Sequence, residues 1–315
     1  MITQAHNAPL CDYGVAESLP DLDRLLASWL RELRGQHKSP HTLRCYRTGV
    51  QSFLDFCADN DLPRELTKAN VIGYMDSRAG GEPSTARLHL TTLKLFARWL
   101  AAEEGFDSDP VSAVRPPRLD QRAVPDLSDS ELSRMLKACD GRTLRDKRDK
   151  ALLVLFAETG LRAAEMVALD VGDVDVDDCT VHVQLGKGRK GRRVRFSVGA
   201  AAVVDRYLRA RHTAVSRPKE GPLWITSRSG TRLSYRGMTQ SLKERARDAR
   251  VDGFHVHRLR HTAATRWLRS GGTETGLRAH AGWTSTTMVA RYVKAASEQL
   301  AAEEFDRLDL GVGDL

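Results

Sequence analysis

One stretch of the chain contains four prolines and no helical or strand pattern, and it divides the 315 residues into two parts. It covers residues 107–126 and has the sequence DSDPVSAVRPPRLDQRAVPD. Proline fixes φ and lacks a backbone N–H, so such a stretch favours a semi-rigid linker over a helix or a central strand. We therefore expect an N-terminal domain at 19–106 and a second domain at 127–315, each with its own hydrophobic core. Residues 1–18 show no periodic pattern and are predicted to form a flexible arm.

Four helices are predicted in the N-terminal domain, because apolar residues recur there at steps of three and four. Ser39 before Pro40 is typical of an N-cap followed by a first-turn proline, and Thr67 precedes the third helix. Ser84 is expected to cap the fourth helix, after a Gly-Gly-Glu-Pro turn. The inward face of that helix is predicted to contain Leu88, Thr92, Leu95, Phe96, Trp99 and Leu100. We expect these four helices to form a compact all-α domain.

The second domain is predicted to be mostly helical with one small β-hairpin. Residues 128–131 have the serine–glutamate spacing of a capping box, and the apolar run near 149–158 indicates a buried helix. Residues 180–184 and 192–196 alternate like paired strands, joined by a Gly-Lys-Gly-Arg-Lys-Gly turn. Beyond Gly199 the pattern is helical to the end of the chain. The expected fold class is mainly α, with a small antiparallel sheet in the second domain.

The charge balance narrows the class of partner. Lysine and arginine number 49 against 41 acidic residues, a net charge of +8 that favours nucleic acid or a membrane surface. Six basic and no acidic residues lie between Lys187 and Arg195, whereas the segment 298–315 is acidic. The longest apolar run, 151–157, is too short to cross a bilayer, and the N-terminus lacks a secretory signal. The five cysteines show neither zinc nor disulfide spacing, so we expect a cytoplasmic protein with neither a metal site nor a disulfide framework. We also expect no cofactor.

Three segments of the second domain contain side chains suited to holding a phosphate group. Arg162 and Glu165 lie one turn apart after a helix end, so that the carboxylate can orient the guanidinium. Glycines beside Lys187 let a hairpin tip approach a phosphate, and the lysine can offer a proton there. His257 and Arg260 share a helix face, where a guanidinium can neutralise phosphate oxygens and an imidazole can move a proton. Taken singly, these are also the patterns of a surface ion pair, a basic hairpin and a packing histidine.

Two aromatic residues complete the set. Trp283 follows Ala-Gly and can offer an indole N–H while its ring packs beneath a site. Tyr292 lies nine residues later, and its phenolic oxygen can act as a nucleophile. Each of them alone would be interpreted as a core residue, and the functional interpretation rests on the order in which all five segments occur.

The order Arg, Lys, His-x-x-Arg, Trp, Tyr resembles that of the tyrosine recombinase (phage integrase) family, which includes Xer, Cre and lambda integrase. The resemblance covers nearly the whole chain: residues 19–105 are similar to the family's helical, SAM-like core-binding domain, and 125–315 to its catalytic domain. Trp283 stands where many members have a second histidine and is similar to the Cre version, whereas His-Arg-Leu-Arg-His is closer to Xer.

The resemblance implies a role for each residue of the motifs. Two arginines would clamp the scissile phosphate, a lysine would protonate the leaving 5′ oxygen, and a histidine would assist proton transfer. A tyrosine would form a 3′-phosphotyrosyl link to DNA, while an acidic residue supports the first arginine and a tryptophan replaces the second histidine. In that order the residues are Arg162, Arg260, Lys187, His257, Tyr292, Glu165 and Trp283.

The resemblance also implies the partner and the assembly. The partner is double-stranded DNA with short inverted-repeat core sites, cleaved and rejoined through a Holliday junction by a homotetramer or by a pair of paralogous subunits. Only about 18 residues precede the first domain, so no separate arm-binding domain is expected. A tail from about residue 294 is expected to dock on a neighbouring protomer or on its own domain. The basic residues expected to contact DNA are Lys38, Arg44, Arg47, Arg87, Lys94, Arg189, Lys190, Arg192 and Arg193.

Three alternatives stay open at the level of the sequence. A DNA-binding accessory protein of the same fold would have lost at least one site residue, and all of them are present. A type IB topoisomerase shares the nucleophile, the arginines and the lysine, but the helical first domain and the tail favour a recombinase. A membrane-surface protein would need an amphipathic basic helix with aromatic anchors, which the sequence lacks.

Overall fold

The first compact unit is a bundle of helices whose ends follow from their capping residues. The structure is a computed structural model that describes residues 21–118, 126–184, 191–283, 301–302 and 304–308. The chain divides into two compact units, Met1–Gln121 and Arg122–Leu315. The helices of the first unit are α1 (Leu22–Gly35), α2 (Pro40–Asp59), α3 (Lys68–Ser77), α4 (Pro83–Glu104) and the short α5 (Asp109–Ser112).

The cap of α2 confirms the sequence prediction, α3 begins after Thr67 as expected, and the cap of α4 corrects the prediction. The Ser39 and Thr67 side chains accept hydrogen bonds from the third residue of each helix, as N-caps do. At α4 the N-cap is Glu82 and Pro83 is the first helical residue, so Ser84 lies inside the helix. Leu88 was expected to face inward but is 42% exposed, because Ala86, His89 and Leu90 face the core in this turn of α4.

Aromatic rings fill the core of the first unit. Trp29 of α1 stacks on Tyr46 of α2 at 5.4 Å and lies 5.1 Å from Phe96 of α4, measured between ring centroids. The hydroxyl of Tyr74 and Nδ1 of His89 share a buried hydrogen bond of 2.7 Å. These contacts hold α1 to α4 around one core and confirm the predicted all-α domain.

The beginning of the Pro-rich stretch belongs to this core. The structure places α5 inside the segment expected to be a linker, with Val111 and Val114 buried among the residues of the first unit. Lys94 of α4 donates a hydrogen bond of 2.7 Å to the carbonyl of Ser112. Proline at the first or second position of a helix is compatible with such a turn, which proline counting alone does not reveal.

The second unit is built around α7. Its elements are α6 (Asp129–Lys137), α7 (Leu144–Thr159), α8 (Ala163–Ala168), a 3₁₀ turn (Val171–Asp173), β1 (Val174–Asp175), β2 (Thr180–Val183), β3 (Arg192–Arg195), α9 (Val198–His212), α10 (Tyr235–Asp248), α11 (Val256–Arg269) and α12 (Glu274–Ala281). The predicted capping box at 128–131 is confirmed at the start of α6. The run from Ala151 to Ala157 is buried except at Val154, as expected for a helix packed on several sides.

The sheet has three antiparallel strands in the order β1-β2-β3. The predicted pairing is confirmed, with Val181 opposite Val194 and both buried, while β1 was not predicted. The expectation of helix from Gly199 to the end is wrong for residues 213–234, which form loops and isolated bridges. Leu223, Trp224 and Ile225 are completely buried there, so an apolar run was misinterpreted as part of a helix. Along the described residues, no helix combines the length and apolarity needed to cross a bilayer.

Candidate active site

The turn between α7 and α8 positions Arg162 and Glu165. α7 ends at Gly160, whose φ of +58° lies in the left-handed region. Arg162 is the N-cap of α8, and its backbone N–H donates to Glu165 Oε2 at 2.9 Å while its Nη1 donates to Oε1 at 3.0 Å. The contact that the spacing predicted is therefore present. It fixes the guanidinium at the start of α8, with almost half of the side chain exposed.

A second arginine holds Glu165 from the other side. Nη1 and Nη2 of Arg192, the first residue of β3, donate to Oε1 and Oε2 of Glu165 at 3.1 and 2.8 Å. The two side chains of this bidentate pair are only 13% and 12% exposed. Burial alone would raise the pKa of the Glu165 carboxyl, but the hydrogen bonds from Arg192 and Arg162 outweigh it and lower the pKa. Glu165 is thus an anion at neutral pH.

Three guanidiniums donate hydrogen bonds to the backbone carbonyls at the C-terminal end of α12. The C-cap of this helix is Gly282, whose φ is +66°, and terminal carbonyls of a helix have no partner within it. They also form the negative end of the helix dipole, which favours cations. The observed pairs are Arg192 Nε with His280 O at 3.2 Å, Arg260 Nη2 with Ala281 O at 2.9 Å, and Arg162 Nη2 with Gly282 O at 2.9 Å.

Arg260 and Trp283 lie together beside this turn. Arg260 of α11 is 3% exposed and also donates to the carbonyl of Gly160, so that it joins the end of α7 to the end of α12. Its Cζ lies 5.1 Å from the centroid of the buried Trp283 ring, a cation–π contact. The structure therefore brings Arg162, Glu165, Arg260 and Trp283 into one cluster of contacts.

His257 lies at the solvent side of α11, near its beginning. It is exposed, whereas Arg260 three residues later is covered. Its ring packs edge-on against His261, with centroids 4.5 Å apart, and lies 6.5 Å from the ring of His255. Burial and the neighbouring Arg258 and Lys243 lower the pKa of His255.

The remaining predicted catalytic residues, Lys187 and Tyr292, lie outside the described residues, as do Arg189 and Lys190. Part of the predicted tail is described, and residues 301–302 and 304–308 are helical. Phe305 and Leu308 of this segment are 57% and 55% exposed. Among the described residues, no group of three or more His, Cys, Asp or Glu side chains is arranged to hold a metal ion.

The basic residues expected to contact DNA fall into two groups. Most of those described are exposed, namely Lys38, Arg44, Arg47, Arg87 and Arg193. Lys94 differs, because its ammonium is half-buried on the carbonyl of Ser112, and burial together with Arg98 lowers its pKa. Arg192 differs because its guanidinium donates hydrogen bonds to Glu165 and to the end of α12. The sequence offered no signal for this second role, since Glu165 precedes Arg192 by 27 residues.

The same two units appear in comparisons with known sequences. The sequence model described as "Phage integrase family" matches residues 125–299, and that described as "Phage integrase, N-terminal SAM-like domain" matches residues 25–105. Tyrosine recombinase XerC of Neisseria meningitidis serogroup B is 30% identical over 291 residues, which cover 90% of this chain and 94% of the relative. The XerC of Shewanella amazonensis is 32% identical over 256 residues, or 78% and 84% of the two chains.

Solved structures share the fold at lower identity. XerH recombinase bound to a palindromic difH substrate, a post-cleavage complex, has a TM-score of 0.70 at 16% identity over 89% of this chain and 83% of that one. A lambda integrase tetramer bound to a Holliday junction has a TM-score of 0.67 at 16% identity, with 86% and 76% covered. These structures confirm the predicted fold class. By its sequence and its fold, the chain belongs to the phage integrase family and is a site-specific recombinase of the tyrosine type.

Proposed function

We propose that this recombinase binds the scissile DNA phosphate with Arg162 and Arg260 and breaks the strand with Tyr292. The observation that carries the proposal is the convergence of both guanidiniums on the end of α12, with Arg162 Nη2 on Gly282 O and Arg260 Nη2 on Ala281 O, each at 2.9 Å. Two fixed cations in one cluster suit the charge that develops on phosphate oxygens during displacement.

The proposed reaction is a displacement at phosphorus. The phenolic oxygen of Tyr292 bonds to the phosphorus, the bond to the 5′ oxygen breaks, and a 3′-phosphotyrosyl link remains. Lys187 gives the leaving 5′ oxygen its proton, and His257 assists removal of the proton from the phenol. The 5′-hydroxyl of a partner strand later attacks the link and restores the tyrosine. The link conserves the energy of the broken phosphodiester, so the cycle needs no ATP.

The other two residues of the cluster have supporting roles in this proposal. Glu165 orients Arg162 through the contacts of 2.9 and 3.0 Å described above. Trp283 packs its ring on Arg260 and provides an indole N–H in the place where many family members have a second histidine. Because a donor is present in either case, the tryptophan is compatible with phosphate binding.

We further propose that both units bind DNA, and that four protomers act together on two sites. Exposed arginines on α2 and α4 and on β3 support DNA binding by each unit. Structures of similar fold include a lambda integrase tetramer on a Holliday junction, which supports the assembly. The exposed Phe305 and Leu308 support docking of the tail on a neighbouring protomer over packing on its own domain.

A covalent-adduct assay tests the proposal. Wild-type protein and the Tyr292→Phe, Arg162→Ala and Arg260→Ala variants are incubated, without Mg²⁺ or ATP, with supercoiled plasmid that carries the DNA flanking the gene. Denaturing gels should show a protein–DNA adduct for the wild type and none for Tyr292→Phe. Each arginine variant should form adduct about a hundredfold more slowly. Tight binding of the wild-type protein without any adduct would contradict the proposal.

A further inference from the structure

We infer that Arg192 is a positioning residue of strand cleavage: its guanidinium holds Glu165, and through it Arg162, in a fixed arrangement against the end of α12. The inference rests on the proposed role of Arg162 in binding the scissile phosphate. It replaces the expectation, drawn from the basic hairpin sequence, that Arg192 contacts DNA directly.

The hydrogen bonds of Arg192 leave little of its guanidinium for a phosphate. A guanidinium has five N–H groups. Those of Arg192 make four contacts within the protein, two to Glu165, one to His280 O and one of 3.4 Å to Ala281 O. The geometry of the guanidinium is that of an internal tie between β3, α8 and α12.

The end of α12 is shaped to fit this guanidinium. A Cβ added at Gly282 would lie 2.5 Å from Cζ of Arg192 and 2.6 Å from its Nη1. The turn therefore lies directly against the guanidinium, and a side chain at this position would displace it. The carbonyl of the same Gly282 accepts the hydrogen bond from Arg162, so Arg192 and Arg162 both contact this turn.

Removal of Arg192 would disturb Arg162 through two partners at once. Among the described residues, Glu165 would then keep Arg162 alone as an ion-pair partner while remaining buried, and a buried carboxylate that loses a cation takes up a proton more readily. A protonated Glu165 holds the Arg162 guanidinium less firmly. The carbonyls of residues 280 and 281 would also lose a donor, which loosens the turn that carries the second contact of Arg162.

The charged groups around Glu165 decide how such a variant responds to pH. Arg162 faces the carboxylate from the start of α8 and Arg192 from β3. Arg260 of α11 and His280 of α12 bound the same turn, and burial together with the charge of Arg192 lowers the pKa of His280. Without Arg192 the carboxyl of Glu165 titrates nearer to neutrality, so the loss of cleavage should deepen as pH falls.

Arg232 offers a matched control at the opposite, C-terminal end of α8. Its guanidinium also donates hydrogen bonds to carbonyls and a carboxylate, those of Val167, Ala168, Leu169 and Asp170. Within the described part of the chain, it forms no hydrogen bond with Glu165, Arg162 or the end of α12. Arg232→Gln therefore removes a comparable tie. It should lower stability without changing the rate of cleavage or its pH dependence.

The test compares Arg192→Gln, Arg192→Lys and Arg232→Gln in adduct formation at saturating DNA, between about pH 6 and about pH 9. Arg192→Gln should cleave about ten to a hundred times more slowly at neutral pH, with a larger deficit at the acid end. Its dissociation constant for DNA should stay within about threefold of the wild type. Arg192→Lys keeps the charge without the bidentate geometry, so it should recover part of the rate and most of the pH profile.

A double variant shows whether Arg192 acts through Glu165. Glu165→Gln with Arg192→Gln leaves no unpaired charge at either of these two positions, which keeps the test available if Arg192→Gln alone does not fold. The double variant should cleave no more slowly than the slower of the two single variants. If Arg192→Gln does not fold, the double variant is compared with Glu165→Gln alone. Additive losses would overturn the inference. The inference would also be overturned if Arg192→Gln bound DNA more weakly but cleaved it at the wild-type rate when DNA is saturating. An equal loss of cleavage rate in Arg232→Gln would overturn it as well.

An NMR titration separates this inference from the proposed function. In the DNA-free protein, the pKa of the Glu165 carboxyl should be higher in Arg192→Gln than in the wild type and unchanged in Arg232→Gln. Absence of any adduct from the wild type would contradict the proposed function, and the titration would still decide whether Arg192 holds Glu165. An unchanged pKa in Arg192→Gln would overturn the inference.

Discussion

Gly282 is constrained both by its backbone conformation and by its contacts with two arginines of the site. Its φ of +66° is one that residues with a Cβ rarely adopt, and its Cα faces the guanidinium of Arg192. Its carbonyl accepts the hydrogen bond from Arg162. A side chain at this position would therefore disturb both arginines, whereas Gly105 at the end of α4 has open space where a Cβ would be placed.

Gly282→Ala should lower the rate of adduct formation about tenfold or more, because the new methyl group displaces the Arg192 guanidinium. The control is Gly271→Ala, since Gly271 has a φ of +77° and open space where the Cβ would be placed. Both variants should lose about 1–2 kcal/mol of unfolding free energy from left-handed backbone strain. Equal cleavage rates in the two variants would show that the contact with Arg192 does not matter for cleavage.

Glu165 should contribute stability that depends on pH. Its pKa is lowered in the folded protein, so the contribution is fully present above the unfolded pKa of about 4.3 and is lost as pH falls through the folded value. At pH 7, Glu165→Gln should lower the unfolding free energy of the second unit by about 3 kcal/mol, because two arginines lose their anion. Urea titrations at several pH values should show this difference shrinking toward acid pH, and a constant difference would exclude the ion pair as its source.

Among the elements, helix starts with a side-chain cap were predictable and tertiary packing was not. The cap at Ser39 and the capping box at 128–131 were identified because such a signal lies within a few neighbouring residues. The loops at 213–234 were misinterpreted because part of their burial comes from elements far away in the sequence; the Trp224 indole N–H, for example, donates to Met166 O at 2.8 Å. An apolar run indicates burial without indicating whether a helix or a loop is buried.

Val111 tests whether the start of the Pro-rich stretch is part of the first core. Its side chain is completely buried, so Val111→Ala should lower the unfolding free energy of the first unit by about 2 kcal/mol. Ile72→Ala in the same unit is the control, since Ile72 is 48% exposed and should cost clearly less. Denaturant unfolding followed by tryptophan fluorescence gives both values. Equal losses would indicate that residues 109–114 behave as a linker.

At the scale of the whole molecule, the site combines segments that are far apart in the sequence. The Arg162–Glu165 pair was predictable from its spacing, and the resemblance to a family supplied the roles of the others. The tie made by Arg192 was not predictable, because its partners at 165 and at 280–281 come from different elements. A basic residue in a hairpin looks the same in sequence whether it faces DNA or a buried carboxylate.

The salt dependence of DNA binding tests how the first unit uses its basic residues. Arg47 is exposed, so Arg47→Gln should weaken binding and reduce the slope of log affinity against log salt by about one. Lys94→Gln should leave this slope unchanged, because the ammonium is already bonded to the carbonyl of Ser112. It should lower the stability of the first unit by about 1 kcal/mol. A reduced slope in Lys94→Gln would place that residue on the DNA.

The most direct test of the proposed chemistry is to identify the residue that becomes bonded to DNA. Of the tyrosines described in the second unit, Tyr207 is completely buried, its hydroxyl donates to Leu223 O, and burial raises its pKa to about 12. Tyr235 is 55% exposed and is the credible competitor of Tyr292. The two fall in different tryptic peptides, so mass spectrometry of the nuclease-treated adduct distinguishes them. A nucleotide 3′-phosphate on Tyr292 is the predicted result, and the same group on Tyr235 or on any other residue would contradict the account.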